Sequence, residues 1–123
     1  MGCFACGEAT YEKRWGVKPM ILEIRDYHVY TGKLPELVRL YGEEGIAIQK
    51  EVLGGFVGAY TTEVGELSTY VHLWRYDSFE ERLRRRNELQ ARDDWKAFLQ
   101  KLTPLIHTQH NRILIPTSFS EMQ

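Results

Sequence analysis

The sequence predicts an α+β fold: a ferredoxin-like βαββαβ domain with a four-stranded antiparallel sheet. Four segments are rich in β-branched and aromatic residues, and two longer segments carry apolar residues at helical spacing. Their order is strand, helix, strand, strand, helix, strand, which is typical of the split βαβ motif with two helices on one face of the sheet. A length of 123 residues suits a single domain.

The first strand and the first helix come from the first half of the chain. Residues 21–30 alternate roughly and predict a strand. Pro35 suits the first turn of a helix, where its missing N–H breaks no bond. One face of this helix is apolar and consists of Leu34, Leu37, Val38 and Tyr41. We expect the helix to end near Glu51 and to be weakened in its middle by Gly42 and Gly45.

Two strands follow a pair of glycines. Gly54 and Gly55 are expected to end the helix and to permit close backbone approach. They do not predict a phosphate loop, because no Gly-Lys-Ser/Thr follows and the segment enters a strand. Residues 56–62 and 67–76 predict the second and third strands, joined by a short hairpin turn.

The second helix begins at a capping box. Ser78 and Glu81 are spaced so that each side chain can bond the other's free backbone N–H. We expect Phe79 and Leu83 to pack inward. A polar interval at 92–94 predicts a break or kink. The apolar stripe then resumes with Trp95, Phe98, Leu99 and Leu102.

The fourth strand closes the predicted domain. Residues 106–115 are strand-like, and Pro116 ends them. We therefore assign 20–116 to the folded domain, 1–19 to an N-terminal extension and 117–123 to a C-terminal tail.

Composition excludes several function classes. A net charge of -1 argues against non-specific nucleic-acid binding. No run approaches the roughly 18 apolar residues of a membrane span, so we predict no membrane insertion. The first 19 residues lack the features of a signal peptide or a mitochondrial presequence, so we predict the cytoplasm. Mitochondria are the alternative location for a eukaryotic source. Cys3 and Cys6 form a C-x-x-C without a second pair or a βαβ context, so we favour an unstructured tail over a redox or zinc site.

The strand residues divide into two sets because side chains alternate between the faces of a sheet. The aliphatic set, expected to contact the helices, includes Leu22, Ile24, Val57, Ala59, Val71 and Leu73. The aromatic and polar set includes Glu23, Arg25, Tyr27, Tyr70, His72, Trp74 and Tyr76. An exposed patch with that many aromatic rings would be unusually large for a monomeric protein. We therefore predict a homodimer in which two sheets enclose a semi-polar lumen.

Four segments resemble the sequence pattern of the NIPSNAP family. Residues 22–27 (LEIRDY) are similar to the family's Y-E-L-R-x-Y, and 53–58 (LGGFVG) to its L-G-G-x-V-G. Residues 72–78 (HLWRYDS) match its H-L-W-x-Y-D-S, and 111–114 (NRIL) its E-N-R-I-L. The resemblance covers residues 20–116. The N-terminal extension, Leu22 in place of Tyr and His110 in place of Glu depart from it.

The resemblance implies a dimeric α+β barrel but no agreed activity. Eukaryotic members are associated with mitochondria and with vesicle- or autophagy-related protein contacts. Relatives by fold include metal-free monooxygenases, haem-degrading enzymes and lactone isomerases. Such fold-level analogy is only associational.

Four residues are the candidate ligand-binding set: Arg25, Tyr27, His72 and Trp74. Arg25 could anchor a carboxylate or enolate, and His72 could move a proton near neutral pH. Tyr27 could hydrogen-bond an oxyanion and Trp74 could stack a flat ring. The alternative is an inter-sheet Glu23–Arg25 ion-pair network with His72 and Trp74 packing the dimer interface. We favour the alternative, because nothing marks a nucleophile or a paired acid and base.

No cofactor or metal ion is predicted. His107 and His110 lie three apart on a strand and therefore point to opposite faces. The Arg-rich run 82–86 favours a solvated helix face, with docking of a protein or an anion as the minority interpretation.

Two functional hypotheses remain open. In the first, the chain is a homodimer that binds a small, flat or anionic metabolite in its lumen, with cofactor-free monooxygenase- or isomerase-like chemistry as an extension. In the second, it is a non-enzymatic protein-interaction module that uses its outer helical faces.

Overall fold

The computed structural model describes residues 20–121 and contains the predicted sheet. Its strands are β1 (Ile21–Val29), β2 (Phe56–Thr61), β3 (Thr69–Tyr76) and β4 (Ile106–Leu114). They form one antiparallel sheet in the order β2-β3-β1-β4, with β1 and β3 in the centre. This order confirms the ferredoxin-like prediction. The Cys3–Cys6 pair lies outside the described residues.

In the described part of the chain, two α-helices precede the hairpin of β2 and β3, and two follow it. They are α1 (Leu34–Leu40), α2 (Ile46–Leu53), α3 (Phe79–Gln90) and α4 (Asp93–Leu102), with a 3-10 turn at Thr103–Leu105. A π-helical segment, Tyr41–Gly45, joins α1 to α2 where the sequence predicts a weak middle. A Cβ atom at Gly45 would overlap the ring of Phe98, so only glycine permits this approach of the helices.

The predicted helix boundaries are largely correct. Gly54 caps α2 with a φ of 78°, a conformation that favours glycine. The break between α3 and α4 falls at the predicted polar interval. Half of the capping box forms: Ser78 Oγ accepts from the Glu81 N–H at 3.0 Å. The Glu81 carboxylate binds Arg84 and Arg85 instead of reaching back.

The two faces of the sheet are exchanged relative to the prediction. The aromatic and polar set packs under the helices, where Glu23, His72 and Trp74 are each 0% exposed. The aliphatic set, including Ile24 and Leu73, lies half-buried on the open face. The predicted alternation is correct in β1 and β3, but the assignment of each set to a face is wrong.

The physical reason is that the aromatic set buries more area and can satisfy its polar atoms. Large rings contribute most to burial, and a buried polar group is tolerated once it is hydrogen-bonded. Glu23 obtains a partner from α3, and the Trp74 indole N–H finds His72 within the same strand. The first of these contacts joins residues that are 59 positions apart, and the second is local to β3.

A bulge disturbs the alternation in β2. The register of its pairing with β3 shifts between Phe56 and Gly58. Phe56 therefore lies opposite Trp74, with ring centroids 4.9 Å apart, and Ala59 lies opposite His72. Phe56 and Ala59, which strict alternation places on opposite faces, therefore share the face of Trp74 and His72, so the prediction for β2 is wrong.

The inward face of α3 also differs from the prediction. Phe79 and Leu83 are 52% and 59% exposed, so the expectation that this helix buries them is wrong. The inward stripe consists of Arg82, Arg86 and Leu89, at i, i+4 and i+7. Leu89 is fully buried, and the two arginines lie over the polar part of the sheet.

Candidate functional site

A pocket of about 340 Å³ opens between the β1–β4 edge of the sheet and the helices α3 and α4. We call it the arginine pocket. Arg25 and Tyr27 reach it from β1, Arg86 from α3, and Trp95, Leu102 and His107 from α4 and β4. No acidic side chain is among the described residues that line it. Its volume is at the lower end of the range for small-molecule sites, roughly 300–1,000 Å³.

The wall of this pocket is fixed by a buried carboxylate. Glu23 accepts from Arg82 Nε at 3.0 Å and Nη2 at 2.9 Å, from Asn111 Nδ2 at 2.7 Å, and from Arg25 Nη1 at 2.9 Å. Burial alone would raise its pKa, but these hydrogen bonds and the two guanidinium charges lower the pKa of Glu23 from 4.5 to about 2. The Glu23–Arg25 pair predicted between two sheets thus lies within one chain.

Arg25 is held on two sides. Its Nη1 binds Glu23, and its Nε lies 3.4 Å from the Tyr27 hydroxyl, with the guanidinium carbon 5.9 Å from the ring centroid of Tyr27. The side chain of Arg25 is 15% exposed. A guanidinium fixed in this way presents a preorganised donor to the pocket.

His72 and Trp74 form a closed pair behind this wall. Trp74 Nε1 donates to His72 Nδ1 at 2.8 Å. An indole nitrogen only donates, so Nδ1 carries no proton and the neutral imidazole is protonated at Nε2. That Nε2 is buried without a hydrogen-bond partner among residues 20–121.

The role predicted for His72 in proton transfer is therefore not supported. Burial, reinforced by the charges of Arg25 and Arg86, lowers the pKa of His72 from 6.5 to about 3. The ring stays neutral through the physiological range and offers a fixed N–H donor. For proton transfer, the described lining of the arginine pocket offers His107, whose ring lies 5.0 Å from that of Tyr30.

Three tyrosine rings surround His72. Its ring centroid lies 4.9 Å from Tyr27, 5.7 Å from Tyr41 and 5.1 Å from Tyr70. Burial, and then the neighbouring Tyr27, raise the pKa of Tyr41, so its hydroxyl stays protonated. This layer separates the arginine pocket from a second groove of about 360 Å³ beside β2, lined by uncharged residues that include Val38, Ile46 and Tyr60. The arginine pocket is the chemically better equipped of the two.

The structure thus keeps all four predicted residues on one face of the sheet. Arg25 lies opposite His72 in the register of β1 and β3. Arg25 and Tyr27 line the pocket, whereas His72 and Trp74 support them from the core.

Arg86 also lines the arginine pocket, although it is not among the four predicted ligand-binding residues. Its Nη1 is buried without an acceptor among residues 20–121. The Arg86 guanidinium lies near the Tyr76 hydroxyl: burial raises the pKa of Tyr76, and the charge and hydrogen bonding of Arg86 oppose that rise. Trp95 Nε1, on another side of the pocket, is also buried and unpartnered among these residues. The i, i+4 spacing of Arg82 and Arg86 was the available signal for this inward face.

The rest of the Arg-rich run is occupied by intramolecular contacts. Arg84 bonds Glu81 at 2.8 Å and lies 3.7 Å from Glu88. Arg85 bonds Glu81 at 2.7 Å and the carbonyl of Leu53 at 3.1 Å. These contacts favour a structural role for the outer arginines.

Residues 20–121 contain neither a candidate metal cluster nor a candidate membrane span. Nowhere in this range do three or more His, Cys, Asp or Glu side chains gather in a way that could hold a metal ion. None of the helices in the same range is long and apolar enough to span a bilayer.

Comparison with known proteins identifies the family. The NIPSNAP family model matches residues 22–121, which is most of the chain. The chain belongs to the NIPSNAP family. Human Protein NipSnap homolog 2 is 30% identical over 108 residues, and the Dictyostelium discoideum Protein NipSnap homolog is 32% identical over 96 residues. These matches cover 85% and 78% of this NIPSNAP chain but only 36% and 42% of the curated relatives.

Solved structures agree with this assignment. A NIPSNAP family protein from Agrobacterium tumefaciens superposes on this NIPSNAP chain with a TM-score of 0.83 and 43% identity, covering 85% of this chain and 99% of the other. A NIPSNAP-like domain protein from Burkholderia xenovorans has a TM-score of 0.82 and 40% identity, covering 85% and 90%. A putative antibiotic biosynthesis monooxygenase from Caulobacter crescentus, with a TM-score of 0.63 and 17% identity over 87% and 97%, shares the fold only.

Proposed function

We propose that this NIPSNAP chain is a homodimer and that each copy binds a small metabolite in its arginine pocket. One observation supports the binding proposal: Arg25 and Tyr27 contact each other in the lining of the 340 Å³ pocket. The buried carboxylate of Glu23 holds Arg25 in this position. Such a pocket combines an apolar wall with a few convergent polar groups, which is the usual form of a small-molecule site.

The chemistry that this arrangement supports best is binding and stabilisation of an oxyanion. Arg25 is a cation that Glu23 holds in place, and His72 packs behind the pocket as a neutral ring. Monooxygenase- or isomerase-like chemistry remains an extension of the proposal, and it would place the proton transfer on His107. The cytoplasmic location predicted from the sequence stays a prediction.

The dimer is proposed for a different reason from the one that the sequence suggested. The open face of the sheet has an aliphatic centre formed by Leu22, Ile24, Val71 and Leu73, each half-buried, and none of residues 20–121 covers it with a helix. Polar side chains lie beside these residues on the same face: Asp26 is opposite Val71 in the register, and His28 pairs with Glu66 at 3.5 Å. A second copy would bury the aliphatic centre, and two-fold symmetry is the commonest arrangement.

Replacing Ile24 by glutamate should dissociate the dimer. The substitution would bury a carboxylate of each copy in the aliphatic centre. We expect self-association to weaken at least about 100-fold, or about 2.7 kcal/mol. Sedimentation velocity across a concentration series measures this effect, and circular dichroism checks that the variant folds.

Leu83→Glu is the matched control for this substitution. Leu83 is 59% exposed on the outer face of α3, so the same change of charge there should leave the dimer intact. Dissociation by Leu83→Glu but not by Ile24→Glu would move the interface to the helices and overturn the sheet-to-sheet arrangement.

Binding in the pocket is tested by native mass spectrometry of the freshly purified full-length chain. We expect twice the 14.4 kDa chain mass together with a co-purifying small molecule. Arg25→Ala should lose the small molecule and keep the dimer, because Arg25 contacts the pocket and not the open face. Retention of the molecule by this variant, or loss of the dimer with it, would contradict the proposed site.

One observation favours the alternative, a protein-interaction module. Phe79 and Leu83 form an exposed apolar pair at i, i+4 on the outer face of α3. The Leu83→Glu variant tests this alternative directly. A variant that folds, dimerises and keeps its small molecule, but no longer binds a partner protein that the natural chain binds, would support this second role.

A further inference from the structure

An excess of positive charge lies in and beside the arginine pocket, and the described residues do not neutralise it. Arg25 and Arg82 share the single carboxylate of Glu23. Arg86 adds a third guanidinium, and no acidic residue is among the described residues of the lining. Three cations facing one buried carboxylate leave two positive charges without a partner at this site, which is expensive in a partly dehydrated environment.

The unpartnered polar atoms around the pocket are mostly donors. Arg86 Nη1 and Trp95 Nε1 are both buried and lack an acceptor among residues 20–121. A guanidinium and an indole can only donate, so the group that satisfies them must supply acceptor oxygens. A buried donor without an acceptor is destabilising, so a ligand that supplies the acceptor is favoured.

Part of the remaining pocket surface is apolar, although Gln90, Thr103, Thr108 and Gln109 add polar atoms to the lining. Leu99 and Leu102 of α4 and Ile106 of β4 line it opposite the arginines, next to the ring of Trp95. A flat apolar ligand body would bury more apolar area against these side chains than a polar or branched body would.

We propose that the pocket binds a small carboxylic acid with a flat apolar body, and that Arg86 holds its carboxylate. This inference rests on the proposed function and names the ligand class for the same pocket. The planar fork of a guanidinium matches a carboxylate, and the two uncompensated positive charges select an anion over a neutral analogue of the same shape.

The test uses the full-length chain labelled with ¹⁵N and four probes. Benzoate has both the carboxylate and the flat ring of the proposed ligand. Benzamide keeps the shape without the charge, and acetate keeps the charge without the ring. Phenyl phosphate replaces the carboxylate by the other common oxyanion. The readout is the indole N–H resonance of Trp95, assigned with a Trp95→Phe variant. We expect benzoate to bind with a Kd near or below about 1 mM, and benzamide and acetate at least about 10-fold more weakly.

Two variants assign the carboxylate contact. Arg86→Gln should weaken benzoate at least about 10-fold and leave benzamide unchanged, since only the charged contact is removed. Arg84→Gln removes an arginine from the same run, but Arg84 pairs with Glu81 and Glu88 on the surface, so benzoate binding should be unaffected.

The other outcomes separate this inference from the proposed function. Equal binding of benzoate and benzamide, or an equal loss in both arginine variants, overturns the anion inference while leaving a small-molecule pocket. Tighter binding of phenyl phosphate overturns the carboxylate assignment in favour of phosphate. If no probe shifts Trp95 but a neutral molecule co-purifies, only the anion inference is overturned. If nothing binds and nothing co-purifies, both proposals are overturned.

Discussion

Replacing Glu23 by alanine should reduce the free energy of unfolding by about 3–5 kcal/mol, which is a large share of the 5–15 kcal/mol typical of a domain. The alanine would leave Arg25, Arg82 and Asn111 without the acceptor that they share. Two partly buried guanidinium charges would then lie close together without the carboxylate that compensates them. Urea denaturation followed by circular dichroism measures the loss.

The loss of stability at acid pH tests the same carboxylate in a second way. The pKa of Glu23 is about 2 in the folded protein against 4.5 ordinarily, so its contribution is fully present above about pH 5 and is lost as the pH falls toward 2. That difference corresponds to about 3 kcal/mol. Glu23→Gln should therefore lose less stability between pH 7 and pH 3 than the natural chain. An equal loss in both proteins would contradict the role assigned to this carboxylate.

Glu81→Ala is the control for burial. Its carboxylate also binds two guanidinium groups, Arg84 and Arg85, at 2.7–2.9 Å, but on the outer part of α3. The hydrogen bond from the Glu81 N–H to Ser78 involves the backbone and survives the substitution. Because solvent screens exposed pairs, we expect a much smaller loss than for Glu23→Ala. Losses of similar size would show that the number of ion pairs, and not burial, determines the effect.

The sequence predicted the elements and their order because both depend on local patterns. The alternation in β1 and β3, the prolyl first turn of α1 and the polar break before α4 are each determined within a few residues. Gly54 and Gly55 were also correctly interpreted, since a helix end followed by a strand has a recognisable signature. Ferredoxin-like topology follows from this order.

The choice of the buried face could not be predicted in the same way. Glu23 and His72 are polar, and polarity alone assigned them to a semi-exposed lumen. The burial of Glu23 depends on partners that are distant in sequence, Arg82 at 59 positions and Asn111 at 88 positions. Such partners become visible only when the chain is folded, and this is also why Arg86 was attributed to a solvated helix face.

Replacing Gly55 by alanine should destabilise the protein by more than about 3 kcal/mol, above the usual 1–3 kcal/mol of overpacking. A Cβ atom at this position would overlap the backbone carbonyl of Arg75. Backbone atoms cannot move aside as a flexible side chain can. The overlap would also break the bond from the Arg75 N–H to the Gly55 carbonyl, which is 2.7 Å long and joins the start of β2 to the end of β3.

Gly42→Ala separates this steric effect from the general effect of removing a glycine. Gly42 lies in the π-helical segment, and a Cβ atom there would have no heavy atom within 4 Å. Alanine reduces the entropy of the unfolded chain and favours helix, so the substitution should be neutral or stabilising by up to about 1 kcal/mol. Thermal and urea unfolding of the two variants compare them directly. A Gly55→Ala protein as stable as Gly42→Ala would mean that β2 can shift away from Arg75, and that the Gly-Gly turn does not determine the register of the edge strand.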